Sequence, residues 1–162
     1  MQTALPNERV IIEAMTSDLP ESLAVIRDDF LALDQPDRLQ LLLEFSGELP
    51  ALPEHLKDHP DLLERVEECQ SPVFIVVELE DDAAQTVRMH ATAPREAPTT
   101  RGFASILVQG LSGLTADQVL EVPSDYPQML GLNDAVSLLR IRGMGGMLAR
   151  VKRQIALKRV AA

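Results

Sequence analysis

The order of apolar and polar positions divides the chain into a helical beginning, a strand-rich middle and a helical end. Leu23, Ile26 and Phe30 fall three and four residues apart, the repeat of one helix face. Asp18 stands where a helix cap is expected, with Pro20 in the first turn, where a missing N–H costs nothing. Asp34 before Pro36 repeats that start signal. Leu39, Leu42 and Leu43 then give the next apolar stripe, stopped near Gly47 and Pro50. Residues 50–60 hold three prolines and predict a loop with at most a turn or two of helix. Ahead of all this, residues 1–18 are expected to form an N-terminal extension with a helical turn at Glu8–Met15, leaving 19–162 as a single domain.

At residue 66 the period changes. Val66 to Cys69 leads into Pro72 and the run VFIVVELE, rich in β-branched residues. Asp81 and Asp82 supply a turn. Thr86 to Ala93 then alternates Val87, Met89 and Ala91 against Arg88, His90 and Thr92, a strand with one buried face. These segments predict a hairpin within a three-stranded sheet that begins near residue 66. Pro98 starts another helix with Phe103, Ile106, Leu107 and Leu111 inward, and Thr115 and Asp117 start a short one closed by Pro123. Leu130 to Leu132 is a loop or turn. The last helix carries Met147, Leu148, Val151 and Ile155 on one side and basic residues on the other. Helices before and after a central run of strands, without βαβ alternation, predict an α+β domain.

Composition narrows the class. The 162 residues are 46% hydrophobic and 25% charged, the balance of a soluble globular protein, and aromatics are scarce at 3%. No apolar run approaches the roughly 20 residues that span a bilayer, and the first fifteen residues lack the basic-then-apolar order of a secretory signal. Cys69 is the only cysteine, so an intramolecular disulfide and a cysteine-only metal site are excluded, and a cytoplasmic location is expected. The net charge is −10, yet it is unevenly spread. Residues 1–82 carry five Lys/Arg against twenty Asp/Glu, and residues 83–162 carry ten against five. Overall acidity argues against a nucleic-acid binder. The basic tail, from Arg140 to Arg159, is expected to be a solvated helix face.

Cys69 has the one unusual local setting, in EECQSP just before an apolar strand. One reading is a small buried hydrophobe. The other is a loop thiol able to attack sulfur or carbonyl carbon; Glu67 and Glu68 oppose its ionisation, so it needs cationic help, with Arg101 and Arg140 as candidates. His55 and His59 are four apart, but Pro53 and Pro60 bracket them, and exposed loop histidines are expected in place of a metal site shared with Cys69 and His90. Gly143, Gly145 and Gly146 lack the strand and Lys-Ser/Thr of a phosphate loop, and are expected to allow close packing or a tight entry to the last helix. Gly110 to Gly113 lacks the spacing of a nucleophile elbow and reads as a helix end and turn.

Several of these landmarks resemble, in order, the SufE family of sulfur acceptors in iron–sulfur cluster assembly. Cys69-Gln70-Ser71 resembles its CQS motif, and Gly47 to Pro53 its L-P-x-L segment ahead of the cysteine. Ala97-Pro98 followed by Arg101-Gly102-Phe103 resembles its [KR]-G-L helix start. Leu130-Gly131-Leu132 with Ser137, Arg140, Gly143 and Met147 resembles its ending. The similarity spans about residues 19–158. Two positions depart from the family pattern: Glu68 stands where it usually has Gly, and Pro94-Arg95-Glu96 where it has Asp-x-Asp.

The resemblance implies a SufE/NifU-like α+β fold with a three-stranded antiparallel sheet packed against helices. It implies Cys69 as persulfide acceptor, Arg140 as support for the thiolate, and Gln70, Ser71, Glu96 and Arg101 as loop or partner residues. The implied partners are a cysteine desulfurase and an iron–sulfur scaffold, with neither nucleic acid nor membrane. No cofactor is expected on this chain, since pyridoxal phosphate belongs to the desulfurase. On this view the chain activates a desulfurase rather than acting as an independent enzyme. The competing expectations are a non-redox adaptor with an inert, buried Cys69, whose acidic half and basic tail contact different partners, and a cysteine hydrolase for which no histidine has a placed role.

Overall fold

A computed structural model of the chain describes residues 19–161. Its first helix, α1 (Glu21–Leu31), begins directly after Pro20 and buries Leu23 and Phe30. Asp18 and the turn expected at Glu8–Met15 lie outside the described residues. The second helix, α2 (Gln35–Gly47), is capped by the Asp34 carboxylate, which accepts from the Asp37 amide. One turn of helix, α3 (Glu54–Lys57), and a 3-10 turn at Pro60–Leu62 cross the proline-rich stretch.

The sheet is antiparallel, in the order β1 (Glu64–Arg65), β2 (Phe74–Leu79), β3 (Val87–Thr92). The α+β class and the hairpin are as expected, with Val76 opposite His90 and Glu78 opposite Arg88. The first strand lies slightly ahead of the expected start at residue 66. Glu64 and Arg65 pair with Ile75 and Phe74, and Val66 to Cys69 belongs to the turn that follows.

Two long helices position the site: α4 (Pro98–Leu111) packs on β3 and α2, and α6 (Leu138–Ala161) packs on β2 and α4. Between them lie α5 (Ala116–Leu120), whose Thr115 and Gln118 form a reciprocal capping box, and a 3-10 turn at Tyr126–Leu130. Gly102 is what lets α4 approach α2, because a Cβ there would stand 2.5 Å from the Leu42 carbonyl oxygen. The shared core contains Ile75, Val77, Met89, Phe103, Ile106, Met147 and Val151. Among the described residues, no helix is long and apolar enough to cross a membrane.

The basic residues of α6 correct the expectation of a solvated face. The helix runs along the edge of β2 that the two-residue β1 leaves uncovered. Gln154 accepts from the Val77 amide at 2.8 Å, and Lys158 donates to the Val77 carbonyl. The helix thus satisfies a strand edge that would otherwise be open. Lys152 donates to the Val122 carbonyl, Arg159 pairs with Asp117 at 2.8 Å, and Arg153 pairs with Glu64. The acidic first half meets the basic tail at Glu64 and Glu68, which pair with Arg150 and Arg153.

Candidate functional site

The turn joining β1 to β2 carries Cys69. Its two feet, Val66 and Val73, are fully buried and joined by a 2.9 Å bond from the Val66 amide to the Val73 carbonyl. The Cys69 amide donates back to the Val66 carbonyl at 3.1 Å. Glu67, Glu68 and Gln70 are exposed, whereas Cys69 points inward and is only 7% exposed.

What admits the thiol is a notch in α6. A Cβ on Gly143 would stand 3.0 Å from Cys69 Sγ. A Cβ on Gly146, one turn along, would stand 2.5 Å from Glu68 Oε2. The two glycines lie inside the helix, which starts at Leu138, so they serve close packing and not the helix entry. Their poor helix propensity is offset by the loop that fills the space they leave.

Beside the thiol opens a cavity of about 580 Å³. Gln70 and Ser71 form one wall, Glu96 and the first turn of α4 a second, and Ser137, Arg140 and the start of α6 a third. The Ser137 hydroxyl accepts from the Arg140 amide at 3.4 Å, and Arg140 Nη1 lies 3.4 Å from the Thr99 hydroxyl. Of the residues anticipated from sequence, Gln70, Ser71, Glu96 and Arg140 thus meet at Cys69. Arg101 does not. Its guanidinium donates to the Ser46 carbonyl at 2.9 Å and the Ala93 carbonyl at 2.6 Å, tying the end of α2 to the end of β3.

Burial pushes the Cys69 thiol up to about 11, and the neighbouring Glu68 carboxylate adds to the rise. The cation that opposes them is Arg150, not Arg101 or Arg140. Its Nη1 lies 2.9 Å from Glu68 Oε2, and its Nε donates to the Arg65 carbonyl at 3.2 Å and lies 3.5 Å from Glu64 Oε2. Sequence reading missed Arg150 because its partner lies 82 residues away. The usable signal was its place one turn beyond Gly146.

The histidines lie elsewhere. His55 and His90 both meet the Glu78 carboxylate, at 2.9 and 3.0 Å, while His59 faces Asp61 at 3.9 Å. Among the described residues no group of three or more His, Cys, Asp or Glu is placed to hold a metal ion.

Residues 24–155 match the family model for the SufE Fe-S metabolism associated domain. The chain belongs to the SufE family. A SufE-like protein of Mycobacterium tuberculosis (strain ATCC 25618 / H37Rv) is 50% identical over 139 residues, which are 86% of this chain and 94% of that one. The cysteine desulfuration protein SufE of Plasmodium vivax is 27% identical over 103 residues, 64% of this chain and 39% of that one. The solution structure of a hypothetical protein from Thermus thermophilus superposes with a TM-score of 0.76 at 34% identity, covering 89% of this chain and 99% of the other. The SufE domain places the chain in iron–sulfur metabolism, and the three-stranded antiparallel sheet with helices is the fold that the resemblance implied.

Proposed function

We propose that this SufE-family chain is a sulfur-transfer protein whose Cys69 accepts sulfane sulfur from a cysteine desulfurase and passes it to an iron–sulfur scaffold. The observation that carries the reading is the sole thiol of the chain set in the wall of an open cavity, with Gln70, Ser71, Glu96 and Arg140 around it. In the accepting step the Cys69 thiolate attacks the outer sulfur of the partner's persulfide. An S–S bond forms at Cys69, the partner's S–S bond breaks, and the partner's cysteine leaves as a thiolate that takes up the proton Cys69 released. Electrons balance without an added oxidant or reductant. No second cysteine in the chain can discharge the product as a disulfide.

One feature of the cavity wall favours an anion, against the burial and the Glu68 charge that disfavour the thiolate. The first turns of α4 and α6 both line the cavity, and the unpaired N–H groups of a helix start favour negative charge. Leu138 and Leu139, 57% and 48% exposed at the start of α6, offer apolar area to a docking protein beside the thiol. At rest the thiol is guarded. Cys69 is only 7% exposed, and burial with the Glu68 carboxylate disfavours its thiolate. Docking must therefore uncover Cys69 before transfer.

That same burial favours the adaptor reading, in which Cys69 is an inert core residue. The adaptor's basic tail, however, is largely engaged with its own chain. A cysteine hydrolase fits less well, since among the described residues no histidine lines the cavity to serve as base. Turnover of a cysteine desulfurase, followed as alanine released from cysteine, decides between the first two. Wild type is expected to raise it and Cys69→Ser is not. Equal stimulation by Cys69→Ser would give the site to the adaptor reading.

A further inference from the structure

Glu68 and Arg150 have no part in the transfer chemistry just described, yet they form an ion pair between the loop and α6. The Arg150 side chain is 14% exposed, and its guanidinium binds the thiol loop at Glu68 and the strand before it at the Arg65 carbonyl and Glu64. Glu68 lies flat on α6, its Oε2, Cδ and Cγ standing 2.5, 2.7 and 2.9 Å from where a Gly146 Cβ would be. Cys69 is the next residue, its Sγ against Gly143. When Glu68 leaves Arg150, the loop loses its charged tie to α6, and its tip keeps the packing of Cys69 against Gly143.

We propose that Glu68 and Arg150 are positioning residues, an ion-pair latch that holds the Cys69 loop closed in the notch of α6 and sets how often the thiol is exposed. That the exposed thiol then receives sulfur rests on the function proposed above; the latch itself does not. Charge-assisted pairs are the stronger hydrogen bonds, and one anchored at a shielded guanidinium is well suited to this role. A partner opens it by offering Glu68 or Arg150 a competing charge.

The test uses the full chain and iodoacetamide. Alkylation of Cys69 is timed between pH 7 and pH 10 in wild type, Glu68→Gln and Arg150→Gln, with amide hydrogen exchange measured over residues 66–73. The latch predicts faster alkylation in both variants, by about fivefold, the equilibrium effect of weakening the pair by about 1 kcal/mol. It also predicts faster exchange in both. A role limited to tuning the thiol's charge predicts opposite signs: Glu68→Gln faster, Arg150→Gln slower, and exchange unchanged. That pattern, or rates equal to wild type, overturns the latch. Should Arg150→Gln loosen α6 as a whole, hydrogen exchange over residues 66–73 in Glu68→Gln still decides: the latch predicts faster exchange there, and charge tuning alone leaves it at the wild-type rate. Failure of persulfide transfer with both effects present would leave the latch standing and remove the proposed function; the reverse result would do the opposite.

Discussion

The three glycines at 143, 145 and 146 sit within one helix, so a single substitution made three times separates helix propensity from loop packing. Alanine in a helix interior is favoured over glycine by about 1 kcal/mol. At Gly145 nothing lies within 4 Å of the added Cβ, so Gly145→Ala is expected to gain about that amount. In a chain of this size that is a rise in Tm of about 2–4 °C. At Gly143 the new methyl would meet Cys69 Sγ at 3.0 Å, and forcing an extra carbon into a packed site costs about 1–3 kcal/mol. The net is then between zero and a loss of about 2 kcal/mol. At Gly146 the methyl takes the place of the Glu68 carboxylate, 2.5 Å away, on a side chain flexible enough to swing out. The gain of about 1 kcal/mol is offset by loss of the Arg150 pair, leaving stability near wild type. Melting curves give the first readout and Cys69 alkylation the second. Gly146→Ala and Gly143→Ala should both alkylate faster than wild type, whereas Gly145→Ala should match it. Equal stabilisation by all three alanines, with alkylation unchanged, would mean that the loop does not pack in this notch.

Three further outcomes are expected. Arg101→Ala strands the carbonyls of Ser46 and Ala93, both largely buried, and should cost about 2 kcal/mol in urea unfolding while leaving the pH profile of Cys69 alkylation in place; a shifted profile would return Arg101 to the thiol site. Tyr126→Phe removes the buried hydroxyl that donates to the Leu23 carbonyl at 2.9 Å and should cost about 1 kcal/mol, with an unchanged unfolding midpoint refuting the bond's role. Because Cys69 ionises higher in the folded chain than its ordinary 9.0, the folded state holds more protons between pH 9 and about 11, and stability should fall as pH rises through that window. Comparing unfolding of wild type and Cys69→Ser across it isolates the effect, and parallel curves would contradict it.

How much of this was legible in the sequence depended on the distance between partners. Helix faces such as Leu23-Ile26-Phe30 and the alternation through Val87-Met89-Ala91 are local patterns, and the structure buries Leu23, Phe30 and all three strand residues. Strand β1 is two residues, both charged, with no alternation to betray it. The start of α6 was obscured by glycines that oppose helix locally and are present for the loop that packs on them. Gln70, Ser71, Glu96 and Arg140, named by resemblance to a family, line the cavity beside Cys69, whereas Arg101 lies away from it and the cation acting on the thiol is Arg150, not Arg101 or Arg140. The same limit hid the use of the basic tail, since Arg153 and Arg159 find their acids 89 and 42 residues away. Charge counting shows that such partners exist, and packing alone shows which are chosen.

The central claim, that Cys69 carries sulfur, is tested most directly by the intact mass of the protein after incubation with a cysteine desulfurase, pyridoxal phosphate and cysteine. The account predicts a gain of one sulfur atom, removed by reductant and absent in Cys69→Ser. A mass that stays unchanged with a desulfurase shown to be turning over, or an equal gain in Cys69→Ser, would contradict it.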